Sequence, residues 1–340
     1  AGLAGTTVIT APLGRDVFAP GLLARHFEKV ESAVFPHWIR SGERLAEQGM
    51  AAGMAGIFGE ISGGHYGPSM IASGYLGKAR ALLSGLGFSG PPDDGSELDP
   101  EPLTAWMSER LSVPGLDRPW YLSDSGSEAL TGPDVLGEIN AGIQADLRRL
   151  VARGVKSRVP LLEAFISEHR GSQYIQAQAL SLRSNLEISI PFAHRECFSL
   201  ASWIPFGAKI HNRLHRALLD QWWPSGLSRP LAATLVPADA PFLLQEASRA
   251  VRRTYEGLRC TAHFRTAGRA PRPRLGWTDF DAFRDPAVHG PVVESLGSDL
   301  FDRAAIARSL AALSDPSRPV HAQPYVDQMG KILTVDRLTR

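Results

Sequence analysis

Lysine is scarce in this 340-residue chain: Lys and Arg together number 36, and only 5 of them are Lys. Against 35 acids this leaves a net charge of +1, so nothing general draws the chain to nucleic acid or to an anionic membrane. The bias towards Arg reads as genomic, not as a recognition device. Cysteine is rarer still. Cys197 and Cys260 are too few for a disulfide framework, and neither lies in a CxxC or other metal-ligand spacing. A reducing, cytoplasmic setting is expected. No run of about 18 uncharged apolar residues occurs, so no membrane span is expected. Residues 1–10 lack the basic start and sustained apolar stretch of a signal peptide. The first residue is Ala1, not Met, which gives the expectation of a processed chain or part of a longer one.

What is present is apolar material, 44% of the residues, enough for one large core or two smaller ones. Residues 1–20 are rich in Gly, Pro and Thr, with one strand-like run at 6–10. Apolar spacing at Leu22, Leu23, Phe27, Val30 and Val34 predicts a helix, which Pro36 ends before a second over 37–48. Residues 54–68 read as a short strand entering a glycine-dense turn. Residues 87–134 carry so many turn residues that an irregular insertion around one helix, near 101–111, is expected. Further helices are predicted over 134–153, 160–183, 195–203, 208–222, 240–258, 300–314 and 323–337, with a basic, proline-broken linker at 265–275. The chain therefore divides into 1–86, an insertion at 87–134 and a helical part at 135–340.

The glycine turn is the most informative stretch. Gly56, Gly59, Gly63 and Gly64 surround Glu60 and precede His65. Glycine permits positive φ and close approach, so backbone N–H groups in such a turn can crowd an anion. An acid inside it can hold a metal or take a proton. A tight surface turn with a solvated Glu60 accounts for the same residues. Lys209 is either a cation set against such an anion or a surface residue at a helix start. Arg183 and Glu187, four apart, read as an ordinary helical ion pair. His211 and His215 share that spacing but lack a third ligand, which disfavours a metal site. The arginines of 252–274 have no interleaved aromatic platform and read as a solvated linker, so no nucleic-acid partner is expected. Trp222 and Trp223, before Pro224, read as a helix end turned into the core.

Residues 55–66, Ala-Gly-Ile-Phe-Gly-Glu-Ile-Ser-Gly-Gly-His-Tyr, resemble without a gap the Ser-Gly-Glu-Gly-Gly-Asp-Glu-Leu-Phe-Gly-Gly-Tyr segment of asparagine synthases and their relatives. Gly56, Gly59, Gly64 and Tyr66 match. Glu60 stands for the family's Asp, Ile57 for its first Glu and His65 for a glycine. Residues 186–192 resemble the family's Leu-Glu-x-Arg-x-Pro-Phe element through Leu186, Glu187, Pro191 and Phe192, with Ser189 at the Arg position. Lys209 lies where the family keeps a Lys against pyrophosphate. Residues 299–302 and 331–338 are similar to the family's closing helices.

The resemblance, in patches over about 35–338, implies a helix-rich α/β fold. It implies an incomplete adenine-nucleotide alpha-hydrolase-like core, its remnant at 1–86, and a large helical C-terminal part. The activity implied is that of an ATP-dependent amide-forming ligase working through an acyl-adenylate, with ATP and Mg²⁺, a small-molecule carboxylate and an amine as substrates. Glu60 and Lys209 would be catalytic, Glu60 would also hold the metal, and Gly56, Gly59, Gly63, Gly64 and His65 would line the phosphate. The family's Ser-Gly-Gly-x-Asp-Ser phosphate loop does not occur in residues 1–340. An upstream or partner segment would have to supply it, so this chain by itself is expected to be inactive. With Ile57, Ser189 and His194 in place of family residues, a second reading stands beside the first: an inactive relative that binds or scaffolds.

Overall fold

A computed structural model describes residues 15–32, 36–66, 97–111, 119–230, 235–266, 280–315 and 323–340. The strand-like run at 6–10 and most of the basic linker lie outside these residues. The described chain is helix-rich, with one small parallel sheet of two strands. No described helix is long and apolar enough to cross a membrane.

α1 (Pro20–Val30) and α2 (His37–Glu47) form where the apolar spacing places them, and Pro20 opens the first with its φ already suited to a helix. β1 (Ala52–Met54) follows, a little before the expected strand, and one helical turn, α3 (Gly59–Ser62), occupies the glycine segment. α4 (Pro100–Leu111), α5 (Asp124–Thr131) and α6 (Pro133–Ala152) come next. The stretch Ser123–Asp124–Ser125–Gly126 was expected to be irregular, yet it is a helix start. The Ser123 hydroxyl accepts the Gly126 amide at 3.0 Å, and N-capping of this kind looks from sequence like a turn.

The helix expected over 160–183 runs from 158 to 182 in three parts: α7 (Arg158–Ile166), a π-helical segment (Ser167–Ile175) and α8 (Gln176–Leu182). It ends before Arg183, and β2 (Glu187–Ser189) begins four residues later. This corrects the helical ion pair read for Arg183 and Glu187. The Arg183 guanidinium instead donates to the Ile188 carbonyl at 3.3 Å. α9 (Arg195–Trp203), a turn α10 (Phe206–Lys209), α11 (Arg213–Trp222), a turn α12 (Pro224–Leu227) and α13 (Phe242–Arg265) lead on. α14 (Pro286–Glu294), α15 (Arg303–Ser314) and α16 (Gln323–Leu338) close the chain.

Three apolar clusters hold these elements. Val17, Phe18, Leu22 and Leu23 pack with Phe283, Ile306, Leu310 and Leu333, so the N-terminal helices sit on the C-terminal ones. Phe58, Ile61 and Tyr66 pack with Leu103, Met107, Leu147, Leu161 and Leu162, which seats the glycine segment on α4, α6 and α7. Leu182, Leu186 and Ile188 pack beneath Trp38 and Leu45. At about 25 cal/mol per Å², each buried Leu or Phe contributes about 1.5–3 kcal/mol. Trp222 and Trp223 belong to none of these clusters. They are 77% and 50% exposed, which corrects the reading of that helix end as core.

His37, at the first turn of α2, gives a measurable consequence. Burial, and then the neighbouring His26, lower its pKa from 6.5 to about 4. Between those values the folded protein binds fewer protons than the unfolded chain, so stability falls as pH falls from 6.5 towards 4. Urea unfolding at about pH 7 and about pH 5 should show a drop that His37→Gln reduces by about 2 kcal/mol. An equal drop in both proteins would show that His37 titrates normally.

Candidate functional site

The glycine segment and residues 186–192 are far apart in sequence and adjacent in space. β1 and β2 pair in parallel with Ala52 opposite Glu187, Gly53 opposite Ile188 and Met54 opposite Ser189. Just past the strands, a side chain at Gly59 would meet the Phe192 ring at 3.4 Å. The backbone enters α3 through Phe58 at φ 70°, a conformation that costs a bulky residue about 1–2 kcal/mol. Packing holds it there: the Phe58 ring lies in the space that a side chain at Gly171 of the π segment would occupy.

Gly64 carries the other end of the segment. Its φ is +66°, and a Cβ there would sit 2.7 Å from the Ile210 nitrogen and 2.9 Å from the Lys209 carbonyl carbon. The turn and the Lys209 backbone are therefore in contact. The amides, however, form no open cradle. Those of Gly59, Ile61, Gly63, Gly64 and His65 donate to the carbonyls of Gly56, Phe58, Gly59, Ile61 and Glu60, at 2.9–3.2 Å. A phosphate would have to displace these bonds. Gly56, whose carbonyl accepts the Gly59 amide, is exposed and open around its Cα.

Lys209 is neither a surface residue nor presented to the turn. It is 0% exposed, and its ammonium donates to a Glu163 carboxylate oxygen at 2.8 Å and to the Ala201 carbonyl at 3.1 Å. Burial raises the Glu163 pKa while the Lys209 ammonium pulls it down, and burial dominates.

What the structure does bring together is a polar cluster around Glu60. One Glu60 carboxylate oxygen is buried without a hydrogen-bond partner. Tyr66 is 0% exposed with an unpartnered hydroxyl, and its pKa is pushed up to about 12 by burial and then by the Glu60 charge, against the pull of Arg170. His65 Nε2 lies 3.0 Å and His215 Nδ1 3.3 Å from the Asn212 side-chain oxygen. Burial, then His65, lower the His215 pKa. Asn212 takes φ 59° and its amide donates to the Gly63 carbonyl at 3.3 Å, so α11 begins against the glycine turn. Because α11 starts at Arg213, His211 precedes it, and the one-helix spacing expected of His211 and His215 is absent. No group of three His, Cys, Asp or Glu able to hold a metal occurs among the described residues.

Sequence reading reached Glu60, His65, Lys209, Arg170 and the glycines but passed over Phe58, Asn212 and Glu163. Asn is among the few residues enriched at positive φ, which is the one local signal Asn212 carried. Glu163 carried none, since it lies 46 residues from its partner. No known family, curated protein or solved structure matches this chain.

Proposed function

We propose that this chain is the synthetase-type part of an ATP-dependent amide-forming ligase resembling asparagine synthase. One observation carries the reading. Segment 186–192, chosen like 55–66 by resemblance alone, contains one strand of a parallel pair, 55–66 follows directly on the other, and the Lys209 backbone lies against the turn of 55–66. In the reaction, a substrate carboxylate oxygen attacks the α-phosphorus of ATP and pyrophosphate leaves. An amine nitrogen then attacks the acyl carbon, loses its proton and expels AMP. Glu60 is the acid of the turn, and its buried, unpartnered oxygen would serve as one ligand to a Mg²⁺ held otherwise by phosphates and water. The self-bonded turn amides do not fit a bound pyrophosphate, so phosphate binding is assigned to residues other than 59–65.

The second reading, an inactive relative that binds or scaffolds, is favoured by those same amides and by the Lys209 ammonium sealed against Glu163. Calorimetry with ATP–Mg²⁺ and a pyrophosphate-release assay with mixed carboxylates and amines distinguish the two. In an assay that includes the upstream or partner segment supplying the phosphate loop, the ligase reading expects ATP-dependent release that Glu60→Gln lowers by about 10²-fold or more. Release indistinguishable from buffer, with no ATP binding, leaves the scaffold reading.

A further inference from the structure

α4 and α6 lie side by side and run in opposite directions. The Leu98 amide, just before α4, donates to the Lys156 carbonyl, just past α6, at 2.9 Å, and the Lys156 ammonium meets Glu97 at 3.2 Å. On one side the helices close on each other through Leu103, Met107, Leu147 and Leu150. On another they stand apart around a cavity of about 570 Å³, a size that suits a small molecule. The sequence explains the gap. Thr104, Ala105 and Ser108 on α4 and Gln144, Arg148 and Ala152 on α6 recur at helical spacing, so each set lines one face. The α4 side chains and Ala152 are too short to meet across the space.

The lining is chemically uneven. Thr104 and Ser108, each 8% exposed, put hydroxyl groups at the floor, while Ala105, Val151 and Ala152 give apolar walls. Two charges of opposite sign face the cavity, Glu101 from α4 and Arg148 from α6. Neither makes an ion pair or hydrogen bond among the described residues. The arginines next along the chain are taken, Arg149 by Asp146 and Glu168 and Arg153 by Glu168, which leaves Arg148 as the guanidinium turned to this space. A guanidinium grips a carboxylate through two parallel hydrogen bonds, and a carboxylate accepts from an ammonium. A phosphate-rich ligand would meet Glu101 as a like charge, and a plain amine would meet Arg148 as one. A molecule that carries both an amine and a carboxylate satisfies the two walls together.

We propose that the cavity between α4 and α6 binds a small zwitterion of dipeptide size, its carboxylate on Arg148, its ammonium on Glu101 and its apolar body against Ala105, Val151 and Ala152. The site uses neither residues 55–66 nor Lys209, so it is independent of the ligase reading and needs no nucleotide.

Saturation-transfer NMR on the full chain, with the dipeptide leucyl-leucine as probe, tests this. Leucyl-leucine should bind with a Kd of about 0.1–1 mM. Its N-acetyl and C-amide forms, which lack one charge each, should bind at least about tenfold more weakly. Arg148→Ala should weaken leucyl-leucine by a similar factor and leave the C-amide form unchanged, since that form has no carboxylate to lose. Ala105→Trp fills the cavity from an exposed position and should remove binding with the thermal midpoint unchanged. Should that variant fail to fold, the Arg148→Ala comparison decides alone. Equal affinity for the three peptides would overturn the proposal, because the charges would then play no part. So would an Arg148→Ala loss that is the same for the dipeptide and its amide, and so would an absence of binding at about 10 mM. Binding that survives Ala105→Trp would place the peptide elsewhere and overturn it as well.

Discussion

Lys209→Ala should destabilise the protein by about 3–5 kcal/mol, because it leaves the Glu163 carboxylate buried without its cation. Lys209 is 0% exposed, and the Glu163 side chain is 10% exposed. Water cannot take the place of the ammonium there without opening the packing around Ala201, whose carbonyl Lys209 also holds. Should the variant fail to fold, the paired replacement Lys209→Met with Glu163→Leu keeps the experiment informative. Removing both charges together and filling the space with apolar atoms should restore stability to within about 1–2 kcal/mol of the parent. Urea denaturation of the three proteins gives the comparison directly. The outcome decides what this lysine is for. A lysine serving only to offset pyrophosphate would leave stability within about 0.5 kcal/mol on truncation. A lysine tying α10 to α7 would take the fold with it.

The second large effect is at Gly64, where two penalties coincide. Ala at φ +66° costs about 1–2 kcal/mol in backbone conformation, and its Cβ would lie 2.7–2.9 Å from the backbone of Lys209 and Ile210. Backbone atoms cannot rotate away as a side chain can, so overpacking adds about 1–3 kcal/mol. Gly64→Ala should therefore cost about 2–5 kcal/mol. Gly49 supplies the control, with φ +83° and nothing within 4 Å of its would-be Cβ. Gly49→Ala should cost only the conformational part. Asn, which tolerates positive φ, should recover much of the loss at Gly49 and little at Gly64. Thermal unfolding of the four variants checks this. Equal costs at the two positions would mean that the glycine turn does not press on residues 209–210, and the site as described would dissolve.

These two residues also mark how far local sequence reasoning reaches. It recognised Gly64 as one of a glycine cluster, which serves either an anion bound by amides or a tight surface turn. The reason seen is a close approach of two backbones, and the amides bond among themselves. Lys209 was legible as a cation of interest, yet whether it faced a ligand or a carboxylate depended on Glu163, a residue on another helix. Glu60 stands between these cases. Its place in the turn was readable, while its buried, unpartnered oxygen beside Tyr66 was not.

The sequence by itself determined most helix spans: α1 and α2 either side of Pro36, α4 near 101–111, α6 from Pro133, and the last two helices. Periodic apolar spacing, proline and capping residues are local signals, and helices are made of local hydrogen bonds. Tertiary structure alone decided the parallel pairing of 52–54 with 187–189, the burial of Lys209 on Glu163, and the exposure of Trp222. A strand of three residues carries no usable period, and whether an apolar or charged side chain is covered depends on what the rest of the chain brings to it.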